Sequence, residues 1–288
     1  MSENRLETVG ILTKPHSPAI QPILAELEKW LHDQGRNVIF DLSLSNAKQE
    51  ASLTLKNQIA QYAQLIVVFG GDGTMLSAAR LVAERAVPIL GVNMGGLGFL
   101  TETTLSHFYE ALQKVFTGEY QLDERLMLYA AIHRHQEKIT EAIALNDVVI
   151  NKGHLTRMIS TKVWINDSFM TNMRGDGLII ATPTGSTGYS LSSNGPILDP
   201  SLDAFIVNPI CPHTLSHRPF LVSSHATIKV MLTSQENARA AFDGQIGLEL
   251  FSGDTVEITA SEYRARLIRF PDRSYYDVLR NKLKWGDG

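Results

Sequence analysis

The sequence holds a single cysteine, Cys211, in 288 residues. A disulfide within the chain is therefore impossible, and a four-thiolate zinc site is excluded. It also lacks any apolar run long enough for a membrane-spanning helix, and its mean hydropathy is −0.04. Positive charge is not in excess: 26 Lys+Arg stand against 30 Asp+Glu, a formal net charge of −4. That balance disfavours a broad nucleic-acid or anionic-membrane surface, while a local basic pocket stays open. The first residues, MSENRLETVG, lack the basic-then-apolar pattern of a secretory signal, so the expected location is the cytoplasm. The nine histidines show no metal-ligand spacing, so no metal site made of protein ligands is expected. No Gly-Lys dipeptide occurs, which removes the Walker A loop.

What is present is enough for a sizeable core, with 44% hydrophobic residues, and one or two domains. The 21 glycines are close to average usage, but their placement is uneven. Seven lie between Gly70 and Gly98 and five between Gly175 and Gly195. Glycine gathers where backbone must take positive φ or admit another group closely, so both bunches are candidate ligand loops.

The first ~120 residues alternate strand and helix signals, the pattern of a mainly parallel α/β domain. Strands are expected at Thr8 to Thr13, Asn37 to Phe40, Leu65 to Phe69 and Val87 to Val92. Helices are expected over a face of Ile20, Ile23, Leu24, Leu27 and Leu31, then Ala47 to Tyr62, Met75 to Arg85 and Leu105 to Phe116. From Leu126 onward, short β-prone runs follow one another, from Leu126 to His133 through to Thr255 to Thr259 and Arg266 to Phe270. This density predicts a β-rich second domain, a sandwich or stacked sheets. Tyr275 to Trp285 reads as a final amphipathic helix. The expected fold is thus a Rossmann-like α/β domain followed by a β-rich sandwich domain. Its boundaries fall at residues 1–123 and 124–270, with the tail 271–288 returning to the first domain.

The loop Gly70-Gly71-Asp72-Gly73-Thr74 leaves the run LIVVF and enters a helix. Ligands of open α/β sheets bind at the carboxyl ends of strands, and glycine N–H groups at a helix amino terminus suit phosphate oxygens. The dinucleotide fingerprint fails, because Leu76 stands where its third glycine belongs. Asp72 beside phosphate needs other work, either holding Mg²⁺ or accepting a proton from a hydroxyl. A tight turn with Asp72 capping the helix is the structural alternative.

The second cluster, GDGLIIATPTGSTGYSLSSNGP from Gly175 to Pro196, sets Asp176 between glycines ahead of a hydroxyl-rich loop. Neutral hydroxyls suit ribose and phosphate edges. The spacing Gly-x-Ser-x-Gly of a hydrolase elbow is absent, since Ser186 follows Gly185 directly. Between the clusters, Asn146 and Asp147 sit amid apolar residues in AIALNDVVI; in an extended segment they would point to opposite faces. An amide and a carboxylate suit ribose hydroxyls or an amino group, and an Asx turn is the structural alternative. Arg157 and Arg174 are candidate phosphate partners, and the Asp243-Gly244-Gln245 turn could bring the Gln245 amide to a ligand.

Together these segments, with GVNMGGLGFLT from Gly91 to Thr101 and PICPHTLSHRP from Pro209 to Pro219, resemble the bacterial NAD kinase family over nearly the whole chain. A lone GGDG is shared with lipid kinases and phosphofructokinases; the long second block is far more specific. The resemblance implies transfer of the ATP γ-phosphoryl group to the 2′-hydroxyl of the adenosine ribose of NAD, with Mg²⁺ or another divalent cation. It implies an active site between an α/β and a β domain, and a homo-oligomer, dimer or tetramer. By resemblance, Asp72 is the proton acceptor, with Gly71, Gly73 and Thr74 in the loop facing the ligand. Asn146 and Asp147 hold ribose hydroxyls, and Asp176 contacts the nicotinamide side with Arg174 adjacent. Thr187, Gly188, Tyr189, Ser190, Leu191 and Ser192 form the NAD-holding loop, and Arg157 and Gln245 match weaker positions. Three residues depart from the family pattern: Asp147 where Glu is usual, Gly175 where Ser is common, and Gly188 where Ala is frequent. Asp is one methylene shorter than Glu, which moves the carboxylate by about 1.5 Å on a fixed backbone. Two other readings stand beside this one, a lipid or sugar kinase sharing the GGDG loop and a non-catalytic dinucleotide sensor.

Overall fold

The computed structural model describes residues 6–14, 20–41, 58–96, 98–153, 157–214 and 216–285. It divides into two compact units, Met1–Glu124 with Ala265–Gly288, and Arg125–Arg264.

The first unit is built on parallel strands. β1 (Thr8–Thr13) lies between β2 (Asn37–Phe40) and β3 (Leu65–Phe69), and β3 pairs with β4 (Ile89–Asn93). The two-residue β5 (Thr103–Thr104) pairs with β4. All five residues of LIVVF are buried, as expected of a strand covered on both faces. Helix α1 (Gln21–Asp33) begins with a proline in its first turn and buries Leu24, Leu27 and Leu31. It ends before Gly35, whose φ of 69° allows the chain to leave the helix. α2 (Asp72–Val82) passes into a 3₁₀ turn at Ala83–Arg85, which accounts for the single longer helix expected there. α3 (Phe108–Thr117) buries Phe108, Leu112 and Val115 against the same core as Ile11, Val67 and Val92. Of the helix expected over Ala47 to Tyr62, residues 58–62 are helical, and the portion before them lies outside the described residues.

The second unit is a β sandwich. One sheet runs antiparallel in the order β13 (Phe220–Ser223), β12 (Ala204–Ile210), β11 (Gly177–Ala181), β8 (Asp147–Asn151), β15 (Ala238–Phe242), β16 (Ile246–Leu250). The other joins β10 (Ser168–Gly175), β9 (Ile159–Ile165), β14 (Ile228–Leu232) and the first part of β17 (Thr255–Arg269), with β6 (Gln121–Arg134) and β7 (Glu137–Ala144) paired alongside. Val148, Ile150, Leu178 and Ile180 face Val163, Val230 and Ile258 in one core. The intervening Val149, Ile179 and Ala181 face a second cluster with Leu198 and Ile206. This is the period-2 pattern of strands buried on both sides. Among the described residues no helix is long and apolar enough to cross a membrane.

The two strands expected at Thr255 to Thr259 and Arg266 to Phe270 are one, β17. Residues 265–270, expected with the second domain, count with the first unit, where Leu267 pairs with Ile89. The tail stays there through polar contacts. The Arg269 guanidinium meets Glu102 at 2.7 Å and Asp123 at 3.3 Å. The second Glu102 oxygen accepts the Phe270 N–H at 2.8 Å, and Arg273 donates to the Thr101 carbonyl. α5 (Tyr275–Leu283) then opens with a reciprocal capping box between Ser274 and Asp277.

The Glu102 side chain is 3% exposed. Glu102→Ala removes one of the two carboxylates that face Arg269 and the acceptor of the Phe270 N–H, while Asp123 still faces the guanidinium, so it should cost roughly 1–3 kcal/mol of stability. Urea denaturation measures this; a loss below about 1 kcal/mol would show the pair to be energetically peripheral.

Candidate active site

In the first unit the order β2-β1-β3 reverses direction at β1 and β3, and the loop 70–74 leaves the carboxyl end of β3 there. This is where open α/β sheets bind ligands. Gly71 is the N-cap of α2, with extended backbone (φ −100°, ψ −167°) and no side chain capping the first turn. The first N–H groups of a helix lack intrahelical partners, and the amino terminus carries positive potential. Together with the glycines they form an anion-seeking rim.

Asp72, half-buried, is committed on one side. Its Oδ2 accepts the N–H of Phe99 at 3.0 Å and its Oδ1 that of Leu100 at 2.9 Å. The turn 98–100 approaches so closely that a β-carbon on residue 98 would overlap Asp72 Oδ1, which explains glycine at 98. Thr101 Oγ1 accepts from Gly98 N and from Asn93 Nδ2, and the Asn93 carbonyl oxygen accepts from Gly95 N. The described residues after β4 in this segment are thus tied to one another and to Asp72. Each carboxylate oxygen has two lone pairs, so each keeps acceptor capacity beyond its backbone bond.

In the second unit Asn146 and Asp147 do not point to opposite faces as an extended segment would require. Residues 145–146 form a bend, and β8 begins only at Asp147. The cause is Asp243, whose Oδ2 accepts Leu145 N–H at 3.1 Å while its Oδ1 accepts Asn146 N–H at 2.7 Å and Asp147 N–H at 3.3 Å. Asn146 and Asp147 therefore line the same cavity, of about 560 Å³, with Tyr189, Arg239, Asp243 and Gln245. The Asn146 Oδ1 is buried and has no hydrogen-bond partner. The Asp147 carboxyl is pushed up to about 7, first by burial and then by the charge of Asp243.

The hydroxyl-rich loop sorts into two sets. Thr182 Oγ1 donates to Leu145 O at 2.6 Å, Ser186 Oγ to Pro183 O at 2.6 Å, and the buried Ser190 Oγ lies 3.1 Å from Asn208 Nδ2. These hydroxyls build the loop. Thr187 Oγ1 donates to Thr184 O, and Leu191 N–H donates to Gly188 O within the short helix α4 (Tyr189–Ser192). Tyr189 and Ser192 are exposed, and Tyr189 alone of this stretch reaches the cavity lining. Glycine at 185 follows from packing: a β-carbon there would overlap the Asn146 carbonyl oxygen.

Other expected site residues stand outside this cavity's lining. Asp176 pairs with Lys152 at 2.7 Å. Arg157 is exposed and pairs with Glu236 at 3.3 Å, and Arg174 lies exposed on β10. Two charged residues of the cavity lining were not among the site residues expected from sequence. Asp243 reads there only as a hairpin turn, and Arg239, exposed on β15, gives no local signal. Among the described residues no group of three or more His, Cys, Asp or Glu could hold a metal ion.

Because the folded state raises the Asp147 pKa above its ordinary 3.8, the unfolded chain releases this proton first, and stability falls as pH rises from about 4 to about 7. Asp147→Asn abolishes that loss. Its stability relative to the parent should grow across this window by up to roughly 4 kcal/mol, readable as a Tm difference that is larger at pH 8 than at pH 4.5. A pH-independent difference would contradict the burial argument.

The family comparisons agree across both units. The ATP-NAD kinase N-terminal domain matches residues 9–120, and the ATP-NAD kinase C-terminal domain matches residues 145–270. The NAD kinase of Geotalea daltonii is 45% identical over 283 residues, covering 98% of this chain and 100% of that protein. The NAD kinase of Magnetococcus marinus is 45% identical over 287 residues, covering 98% and 95%. Among solved structures, yeast NADH kinase complexed with NADH is similar with a TM-score of 0.89 at 24% identity, over 99% of this chain and 89% of that one. An NAD kinase from Archaeoglobus fulgidus in complex with ATP is similar with a TM-score of 0.74 at 27% identity, over 96% and 98%. With both domains matched in order and relatives at this identity aligned over nearly their full length, the chain belongs to the ATP-NAD kinase family.

Proposed function

We propose that this chain moves the γ-phosphoryl group of ATP to the 2′-hydroxyl of the adenosine ribose of NAD, giving NADP. The observation that carries the reading is the second-unit cavity, where an amide, a buried carboxylate, an exposed tyrosine ring and a glutamine converge. Hydroxyl-rich, planar ligands such as nucleosides need this combination of hydrogen-bonding groups and a ring face. Membership of a family whose members phosphorylate NAD agrees with it, and the A. fulgidus relative was solved with ATP.

The roles proposed here carry the family resemblance onto these residues. Asn146 and Asp147 hold ribose hydroxyls, Tyr189 covers a ring, and Gln245 and Gly188 border the same ligand. Thr187, Ser190, Leu191 and Ser192 keep the loop in place, with Asp176, Arg174 and Arg157 serving outer portions of the ligands. The Gly71, Gly73 and Thr74 rim receives phosphate oxygens. Asp72 takes the proton of the attacking hydroxyl through the acceptor capacity its two backbone bonds leave. Catalysis of this kind is mainly positioning and charge stabilisation.

A divalent cation, Mg²⁺ or another, fits as a companion of the nucleotide. The described residues offer no cage of three ligands, and Mg²⁺ commonly rides on phosphates with one or two carboxylates; Asp72 is the carboxylate placed to help. When bound, it would offset phosphate charge. The protein is further proposed to act in the cytoplasm, as a homo-oligomer.

One observation favours a second reading. Asp72 already clamps the 98–100 turn, which is all a non-catalytic dinucleotide sensor would ask of it. Purified protein with ATP, Mg²⁺ and NAD, assayed with an NADP-specific dehydrogenase, separates the two; no NADP would sink the kinase. Asp72→Asn should lower kcat ~10²–10⁴-fold with a smaller change in KM for NAD, and a kcat near that of the parent would overturn the assignment of the base.

A further inference from the structure

The bend that turns Asn146 and Asp147 into one cavity has an identifiable origin in a side chain that no sequence motif marks as functional. Asp243 follows β15 with a left-handed φ of 50°. That conformation is uncommon for a side-chain-bearing residue and is tolerated best by Asn and Asp. It aims the carboxylate at three consecutive N–H groups, those of Leu145, Asn146 and Asp147. The backbone is tied in return, since Asp243 N–H donates to Asp147 O at 2.9 Å. Both side chains are buried, Asp243 at 8% and Asp147 at 5% exposed. Without the cap, three buried N–H groups would have no acceptor, and the segment would relax toward an extended path that sends alternate side chains to opposite faces.

We infer that Asp243 is a positioning residue for nucleoside binding: by capping residues 145–147 it directs both Asn146 and Asp147 into the ligand cavity. The inference rests on the NAD-binding role proposed for that pair. The same carboxylate also acts on Asp147 through its charge. Of the residues lining this cavity, the charged or titratable ones are Asp147, Asp243, Arg239 and Tyr189. Burial is the larger cause of the raised Asp147 pKa and Asp243 the second. Ionised Asp147 accepts two ribose hydroxyls, whereas the protonated form loses part of that capacity. NAD affinity should therefore weaken as pH falls through about 7, and removing the Asp243 charge should move that limb downward.

Two variants separate the functions of this side chain. Asp243→Asn keeps the tolerated backbone conformation and one oxygen, enough to cap Asn146 and Asp147, while it removes the charge and the acceptor of the Leu145 N–H. Asp243→Ala removes the whole cap and the charge. In Asp243→Asn the acid limb of kcat/KM for NAD should move to lower pH by on the order of one unit. A carbon-13 titration of the Asp147 carboxyl should move the same way. In Asp243→Ala the KM for NAD should rise roughly 10- to 100-fold, with KM for ATP changed less than about twofold, and the amides of residues 145–147 should lose protection from hydrogen exchange. An unmoved pH limb together with an unmoved Asp147 titration in Asp243→Asn would overturn the inference, and so would protected amides in Asp243→Ala. If the parent protein makes no NADP, the kinase reading fails by itself, while the titration and the exchange still decide whether Asp243 sets this turn. Should Asp243→Ala not fold, Asp243→Asn decides alone.

Discussion

The second unit depends on β8 and β11 being buried on both faces. Val148 and Ile150 face the sandwich core while Val149 faces Leu198 and Ile206. A slip of one residue would exchange these sets, putting a differently shaped surface into each core, so the register is strongly held. Residue 147 is the first of β8 and pairs with Ala181 at the end of β11. Everything at that end is consequently fixed by packing far larger in energy than any ligand contact: the bend at 145–146, the loop after Ala181, and the turn after Phe242. The site is a set of strand ends, which is how a rigid sheet delivers precise geometry to flexible loops.

This placement also explains how a chain with net charge −4 can be arranged to take anionic nucleotides. In the first unit the partial positive charge comes from the amino terminus of α2, whose peptide dipoles point out of the helix start, and not from lysine or arginine. In the second unit the neutral amides of Asn146 and Gln245 and the ring of Tyr189 contribute to the lining, with Arg239 as the one cation among its described residues. Backbone dipoles do not titrate, and they carry no net charge that would need a counter-ion in the empty state. A broad basic surface would bind many polyanions, whereas a rim of directed N–H groups discriminates by shape.

Much of this was legible in the sequence, for reasons that differ by segment. LIVVF reads as a buried strand because five apolar residues end at a glycine pair, and the α1 face shows its helical spacing directly. The hydroxyl-rich loop was legible as a feature but not as a structure. Ser186 and Ser190 look available in sequence, yet the fold uses them on Pro183, Leu198 and Asn208, partners 12 or more residues away in the latter two cases. β12 extends through Pro209, opposite Leu178 of β11 and beyond its pairing with β13, so the missing N–H costs no bond on the β13 side. Asp243 was illegible as a functional residue, since its three hydrogen bonds cross 96 to 98 positions. Local pattern cannot report a contact made only when β8 and β15, far apart in sequence, pair within one sheet.

The departure at position 147 takes on physical content from this geometry. An aspartate is held closer to its own backbone than a glutamate, and here that backbone lies directly on the Asp243 carboxylate. The two buried carboxyl groups act on one another, and the Asp243 charge adds to burial, the larger cause, in raising the Asp147 pKa. Two like charges in a poorly solvated site resist simultaneous ionisation, so the pair stores a cost that a ligand can relieve. Hydroxyl donors from a ribose would stabilise the ionised Asp147 and draw its pKa back down. Binding would then release a proton near neutral pH, and part of the ligand's interaction energy would be spent on that ionisation. A longer carboxylate reaching away from Asp243 would avoid the cost and lose the coupling. On the proposed nucleoside-binding role, aspartate at this position would therefore change more than reach: it would tie occupancy of this cavity to the protonation of one buried acid.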